Sequence, residues 1–305
     1  MIEIEKTLQK TEEIVKNADT LEDFVKDRLL QLKEEKKKSF RKNGGIILDE
    51  KTRYSVIGDI HGDLKTLTNI LEKVSLDAIE TGYIVFLGDY IDRGPKQIEA
   101  IVSILLLKEL YPEKTIILRG NHEPPLELTP FPHDFPLQLL RRYGQRGKKL
   151  YQAFLSLFEE LPYVLIIKDE AILLHGGPPT DLNKAENIEQ YFALDRETPP
   201  PSLLEEVLWN DPSEDVEYRA PSPRGAGWLF GKKVTESALK IANAKVIIRG
   251  HEPADKGYKL NHNGKVLTLF SRKGPPYNNR NAAFLLLHLE DEEWDKKIEE
   301  YIVQI

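Results

Sequence analysis

The stretch YIVFLGDYIDRGP, residues 83–95, decides how the rest of the chain is read. Its apolar run, 84–87, has the length and composition of a buried strand. The run breaks at Gly88, and Asp89, Tyr90, Asp92 and Arg93 follow at once. A strand whose C-terminal end opens into a glycine and clustered carboxylates is a usual place for an α/β site. The pattern returns as SVIGDIHGD at 55–63, IILRGNHE at 116–123, AILLHGG at 171–177 and VIIRGHE at 246–252. Taken singly, Gly-Asp at a strand end is an ordinary turn, and a lone core histidine is usually a satisfied one. Here His61, His122, His175 and His251, four of the seven histidines, all fall just beyond apolar strands. Five strand ends each deliver a metal-ligand type of side chain into a glycine-loosened loop, which independent turns do not explain.

Composition bounds the function. With 305 residues, the chain suits one large α/β domain or two small ones. No run approaches the roughly eighteen apolar residues that span a membrane. The start, MIEIEKTLQK, lacks the basic and apolar regions of a signal peptide, so a cytoplasmic location is expected. The absence of cysteine excludes disulfides, zinc-thiolate sites and thiol catalysis. One Met and 30% charged residues rich in Glu and Lys resemble the thermophile bias. A net charge of −7 disfavours nucleic acid. It does not exclude an anionic substrate, because bound divalent cations reverse the local potential.

Helical spacing predicts helices at about 3–17 and 21–37, within an N-terminal helical segment 1–44. The basic run KKKSFRK, 36–42, reads as a solvated helix end, with a docking surface for an acidic regulatory partner as the rival. Residues 46–48 and 54–57 read as a hairpin feeding the first site loop. A helix at 63–74, a strand at 83–87, a helix at 96–110 and a strand at 115–118 complete β-α-β-α-β, hence a parallel sheet. The proline-rich 124–136 reads as an irregular loop over the site, with His133 on its surface. Helices are expected at 137–143 and 148–160, and a hairpin at 163–174. Residues 180–223 read as irregular, followed by a helix at 234–242. Strands at 245–249, 265–271 and 282–290 are expected to finish an antiparallel second half. With no internal repeat and no long linker, 45–305 reads as one catalytic domain.

Carboxylate oxygens with imidazole nitrogens suit borderline divalent metals such as Mn, Fe, Co, Ni or Zn. There are too many ligands for one tetrahedral ion. Two ions about 3.5–4 Å apart that share a carboxylate are the economical reading. Asp59, His61 and Asp89 would hold one; Asp89, Asn121, His175 and His251 would hold the other. Such a pair generates hydroxide at neutral pH and polarises a phosphoryl oxygen without a covalent intermediate. His122 adjoins a ligand without being one. With Asp92 on one ring nitrogen it would make a general acid for the leaving oxygen. Arg93 and Arg224 supply guanidinium forks for phosphate.

GDIHGD, GDYIDRG, RGNHE, HGG and RGH, in this order, resemble the phosphoprotein phosphatases, the serine/threonine phosphatase family that includes protein phosphatase 1. The likeness spans about 45–290, and WNDP and the later PRG with GWLFG follow the same order. It implies an α/β fold of the metallophosphoesterase (calcineurin-like) type, an αβ-βα sandwich with a two-metal site between the sheets. It implies the metal roles given for Asp59, His61, Asp89, Asn121, His175 and His251, with manganese the expected cofactor. It also implies the His122–Asp92 acid pair, and phosphate binding by Arg93, Arg224 and Asn121. The expected substrates are phosphoproteins, with no nucleic acid and no membrane. The chain departs from the eukaryotic pattern in its proline-rich stretch after Glu123. It departs again in SRKGPPYNNRN, 271–281, where Tyr277 matches the substrate-facing tyrosine. The compact, cysteine-free chain looks more like an archaeal or bacterial member. Two other functions stand beside this one. One is a small-molecule hydrolase of the same superfamily, such as a symmetrical dinucleoside tetraphosphatase. The other is a catalytically dead scaffold.

Overall fold

The computed structural model describes residues 2–74, 76–181 and 185–305. Two helices come first, α1 (Ile2–Val15) and α2 (Ala18–Glu35). Asn17 starts α2, accepting from the Asp19 N–H at 2.8 Å, which satisfies one of the donors a helix start leaves unpaired. The chain continues through β1 (Arg41–Lys42), β2 (Gly45–Leu48), β3 (Arg53–Ile57), α3 (Leu64–Val74) and α4 (Leu76–Thr81). Next are β4 (Tyr83–Phe86), α5 (Gln97–Leu110), β5 (Thr115–Ile117), α6 (Phe135–Tyr143) and α7 (Arg146–Glu159). The middle of the chain adds β6 (Val164–Ile167), β7 (Ala171–Leu174), α8 (Ile188–Tyr191), α9 (Pro201–Trp209), β8 (Asp211–Pro212), β9 (Arg219–Pro221) and β10 (Trp228–Phe230). Last come α10 (Lys232–Ala242), β11 (Val246–Arg249), β12 (Tyr258–Asn261), β13 (Val266–Leu269), β14 (Ala283–His288) and β15 (Ile302–Gln304). Among the described residues no helix is long and apolar enough to cross a membrane.

One sheet has the order β1-β2-β6-β7-β11-β13-β12, a second β15-β14-β3-β4-β5, and a small third β8-β10-β9. Alternation along each strand sorts side chains into layers. Val56, Val85 and Leu285 from the second sheet meet Leu165, Leu173, Ile248 and Leu267 from the first in one buried cluster between the sheets. Ile57, Ile84, Phe86 and Phe284 face the other way, onto α3, α5 and the aromatic residues of α7. Val164, Ile172, Leu174 and Ile247 pack outward against α8, α9 and α10. The result is the expected helix–sheet–sheet–helix sandwich.

The parallel run β3-β4-β5 forms as its spacing predicts. The hairpin expected over 46–57 does not form. β2 pairs parallel with β6 in the large sheet, and β3 lies between β4 and β14 in the other. Both runs are nearly continuous apolar stretches, and a strand buried on both faces seeks interior positions rather than an isolated pair. The second half is not uniformly antiparallel: β11 pairs parallel with both β7 and β13. Residues 180–223 are more regular than their polarity suggests. They contain α9, opened by Pro201 at its first turn, and two of the three strands of the small third sheet, β8 and β9. Residues 182–184 of that stretch lie outside the described residues.

The N-terminal helices lie on the helical layer of the second sheet. α1 packs on α5 and α2 on α7, so α5 is buried continuously from Gln97 to Lys108. Thr11 and Ser103 meet through their hydroxyls at 3.0 Å inside this layer. The cations of the 36–42 run are paired within the chain: Lys36 with Glu160, Lys37 with Glu34 at 2.6 Å, Lys38 with Glu113 at 3.4 Å and Lys42 with Glu189 at 3.6 Å. Arg41 is buried and donates to the Gly45 and Glu160 carbonyls at 2.9 and 3.0 Å.

Candidate metal centre

Parallel neighbours bring their C-terminal ends to one edge. β3, β4 and β5 therefore deliver Asp59, His61, Asp89, Asn121 and His122 together. β7 and β11 deliver His175 and His251 from the facing sheet. All of these residues are buried. The backbone is bent hard to present them: His61, Asp89, Asp92, Arg93 and His251 have φ between 44° and 72°. Such left-handed conformations cost about 1–3 kcal/mol each and cluster at functional sites. Gly88, at φ 109°, is needed for closeness as well as conformation, since a Cβ there would stand 2.5 Å from the Gly120 Cα.

Asp89 is the centre of the arrangement. Its Oδ2 lies 3.3 Å from His61 Nε2, and its Oδ1 lies 3.2 Å from His175 Nε2. His61 Nδ1 is 2.7 Å from the Ile91 carbonyl, and His175 Nδ1 is 3.0 Å from that of Leu87. Donation to those carbonyls puts the ring protons on Nδ1 and turns the Nε2 lone pairs inward. The Asn121 amide lies 2.9 Å from His175 Nε2 and 3.0 Å from His251 Nδ1. With its nitrogen inward it donates to both and to Asp89; with its oxygen inward it could hold a cation. Asp59 Oδ1 accepts from the His251 N–H at 2.8 Å, while its Oδ2 is buried with no hydrogen-bond partner. His251 Nε2 is equally orphaned.

The electrostatics agree with this crowding. Burial, then the Asp89 carboxylate, pushes the Asp59 carboxyl up to about 6. Burial drives His61 down to about 3 and, with Arg224 beside it, holds His251 well below the usual imidazole range. Buried unpaired anions and lone pairs facing lone pairs are costly. Two divalent cations fit this donor set: the oxygens and nitrogens suit borderline metals, and Asp89 presents one oxygen to each group of ligands.

His122 is where the sequence predicts. Its Nδ1 lies 2.6 Å from Asp92 Oδ2, and its ring meets that of His61 edge-on at 4.8 Å. Burial pushes the Asp92 carboxyl up, but the hydrogen bonds from His122 and His133 outweigh it and hold it well below the usual range. Arg93 stands on the His61 side, bonded to the Tyr277 hydroxyl. The Tyr277 ring stacks on His61 at 5.8 Å. Arg224 stands on the His251 side, one-third exposed, with Nε 2.6 Å from Asp211 Oδ2.

His133 corrects the reading of it as a surface residue. Its side chain is turned inward and only 7% exposed, with Nδ1 2.6 Å from Asp92 Oδ2 and Nε2 2.8 Å from the Tyr151 hydroxyl. The His133 bond to Tyr151 and the Phe135 ring against Phe154 tie the end of the proline-rich stretch to α7. Sequence reasoning assigned no role to Glu123. It is fully buried and accepts from the N–H groups of Asp89, Tyr90 and Gly120 at 2.8, 2.9 and 3.0 Å. Arg249 was also missed: it bonds Asp211 Oδ1 at 2.9 Å and the Gly176 and Asn210 carbonyls at 2.7 and 3.0 Å, tying WNDP to the site.

What this fold and site define is a metallophosphoesterase. Residues 52–255 match the calcineurin-like phosphoesterase family, to which the chain belongs. Among curated proteins it is 34% identical to the serine/threonine-protein phosphatase 6 catalytic subunit of Drosophila melanogaster, covering 79% of this chain and 77% of that one. It is 32% identical to the serine/threonine-protein phosphatase 4 catalytic subunit of Saccharomyces cerevisiae, covering 80% and 77%. It is also 32% identical to a probable serine/threonine-protein phosphatase of Encephalitozoon cuniculi, covering 80% of this chain and 52% of that protein, so it spans about half the length of that relative. A solved protein serine/threonine phosphatase from Saccharomyces cerevisiae shares the fold, with TM-score 0.73 and 24% identity over 89% of this chain and 83% of that one. Within the calcineurin-like family, the chain belongs to the serine/threonine protein phosphatases, hydrolases of phosphoric monoesters.

Proposed function

We propose that this site cleaves phosphoserine and phosphothreonine monoesters using two divalent cations held by Asp59, His61, Asp89, Asn121, His175 and His251, manganese foremost. One observation carries the reading: the two Asp89 oxygens face opposite histidines at 3.3 and 3.2 Å, while Asp59 Oδ2 is buried without a donor. When bound, the cations supply Lewis-acid stabilisation of phosphoryl charge and a more acidic water.

The chain's own residues do the rest. Arg93 and Arg224 approach from the His61 and His251 sides, and each can offer planar N–H pairs to phosphate oxygens. The Asn121 amide would act beside them. His122 donates its Nδ1 proton to Asp92 at 2.6 Å, which leaves Nε2 to carry the proton for the leaving oxygen. A serine or threonine alkoxide is a poor leaving group and needs that proton. The Tyr277 ring over His61 narrows access on that side.

The same reading takes 45–305 as the catalytic domain and α1 and α2 as an outer layer on it. It takes phosphoproteins as the partners and the cytoplasm as the setting. An acidic regulatory partner at 36–42 would have to displace Glu160, Glu34, Glu113 and Glu189 from their lysines. The test is to strip the protein with chelator, verify metal loss, reload with Mn, and compare a phosphoserine peptide with a dinucleoside tetraphosphate. Activity should vanish, return with Mn, and favour the peptide. Full activity after verified metal loss, or preference for the dinucleotide, would overturn the reading.

A further inference from the structure

We propose that His133 is a positioning residue of the acid pair: it shares the Asp92 carboxylate with His122 and fixes that carboxylate in the orientation His122 needs. The inference rests on the reading of His122 as leaving-group acid.

Asp92 is fully buried, and both its oxygens are saturated. Oδ1 accepts from the N–H groups of Asp134 and Phe135 at 2.9 and 2.8 Å. Oδ2 lies 2.6 Å from Nδ1 of His122 and 2.6 Å from Nδ1 of His133. Every donor except His122 thus comes from residues 133–135. The Asp92 carboxylate only accepts, so it settles the tautomer at Nδ1, and the Tyr151 hydroxyl lies 2.8 Å from the other ring nitrogen, Nε2. A neutral imidazole donates at one nitrogen and accepts at the other, so Tyr151 O–H donates to Nε2 and His133 Nδ1–H donates to Asp92. A polar chain runs from Tyr151 on α7 through His133 to Asp92, and His122 closes it from the metal side.

The same segment holds the neighbouring backbone. Asp134 Oδ1 accepts from the Arg93 N–H at 2.9 Å, and Oδ2 from Gln97 Nε2 at 2.8 Å. Gln97 Oε1 in turn accepts from the Asp92 N–H at 3.0 Å. The 133–135 segment therefore clips the loop that carries both Asp92 and Arg93. Without His133, Oδ2 loses its second donor, and the backbone N–H groups on Oδ1 are left to restrain the carboxylate against turning about its terminal torsion, which is broad for aspartate.

The experiment compares kcat on a phosphoserine peptide and on p-nitrophenyl phosphate in the Mn-loaded protein, with metal content and melting temperature measured for each variant. His133→Leu should lose roughly tenfold on the peptide and less than about threefold on the nitrophenyl ester, part of the roughly 10² to 10⁴ that a general acid supplies. His133→Asn, whose amide N–H can replace Nδ1–H, should recover most of the loss. Tyr151→Phe should show the same split more weakly, and it decides the matter if His133→Leu does not fold. In an Asp92→Ala background, His133→Leu should cost nothing further. Equal slowing of both substrates, no slowing, failure of His133→Asn to rescue, or an undiminished effect in Asp92→Ala would overturn the proposal. His122→Asn is the control. If it shows no leaving-group dependence, the acid reading fails and this inference with it. If His122→Asn shows the dependence and His133→Leu does not, only the role of His133 fails.

Discussion

The Glu123 carboxylate accepts the backbone N–H of Asp89 at 2.8 Å, so a side chain that reaches no ligand position sets the turn on which the central ligand stands. Asp89 is held at φ 58°, and Glu123 also takes the N–H groups of Tyr90 and Gly120. Burial, with Asp89 beside it, pushes the Glu123 carboxyl up to about 8, against the pull of those donors. Glu123→Ala should therefore weaken metal binding by roughly 10- to 100-fold, the usual effect of removing an outer support. Metal titration followed by calorimetry checks this; unchanged affinity would mean that the turn holds itself.

The acid pair predicts a dependence on leaving group. His122→Asn should keep both metals and lose roughly 10² to 10⁴ in kcat on a phosphoserine peptide. It should lose distinctly less on p-nitrophenyl phosphate, whose nitrophenolate departs without a proton. Asp92→Asn should follow the same pattern more weakly, and the two losses should not add in the double variant. Equal slowing of both substrates by His122→Asn would make it a phosphate or nucleophile-positioning residue instead.

Asp92 also predicts an acid limb of stability. Its folded pKa is depressed below the ordinary aspartate value near 3.8. Its contribution is therefore present above that value and is lost as pH falls through the folded pKa. In the metal-free protein, where ligand release does not interfere, melting temperature should fall steeply below about pH 4. Asp92→Asn should start lower and fall less steeply. Parallel curves for the two proteins would contradict the assignment.

The N-terminal helices predict a large cost of truncation. Val15, Leu21, Phe24, Val25 and Leu32 are all buried in the cluster that covers α5 and α7. At about 1.5–3 kcal/mol each, their loss exceeds about 7 kcal/mol, comparable with the whole stability of many domains. A chain lacking residues 1–37 should melt far lower or aggregate. Melting within a few degrees of the full chain would show α1 and α2 to be an appendage.

Much of this site was legible in the sequence because its signal is local. Each of GDIHGD, GDYIDRG, RGNHE, HGG and RGH is a strand end, a glycine and a ligand within a few residues, and parallel strands bring such ends together. What was not legible depends on partners far apart in the chain. His133 meets Asp92 across 41 positions, and Glu123 meets Asp89 across 34. Nothing in the spacing separates that glutamate from a surface one, or that histidine from any other in a proline-rich loop. The 46–57 hairpin failed for a related reason. A short turn between two apolar runs looks the same whether the strands pair or part, and here each found its neighbours in a different sheet.

The two-cation site depends on Asp89 serving both ions, and metal analysis of two variants tests that directly. After dialysis against limiting Mn, Asp89→Asn should lose occupancy of both sites, whereas His61→Ala should chiefly lose one. Two ions retained at full affinity in Asp89→Asn would contradict it.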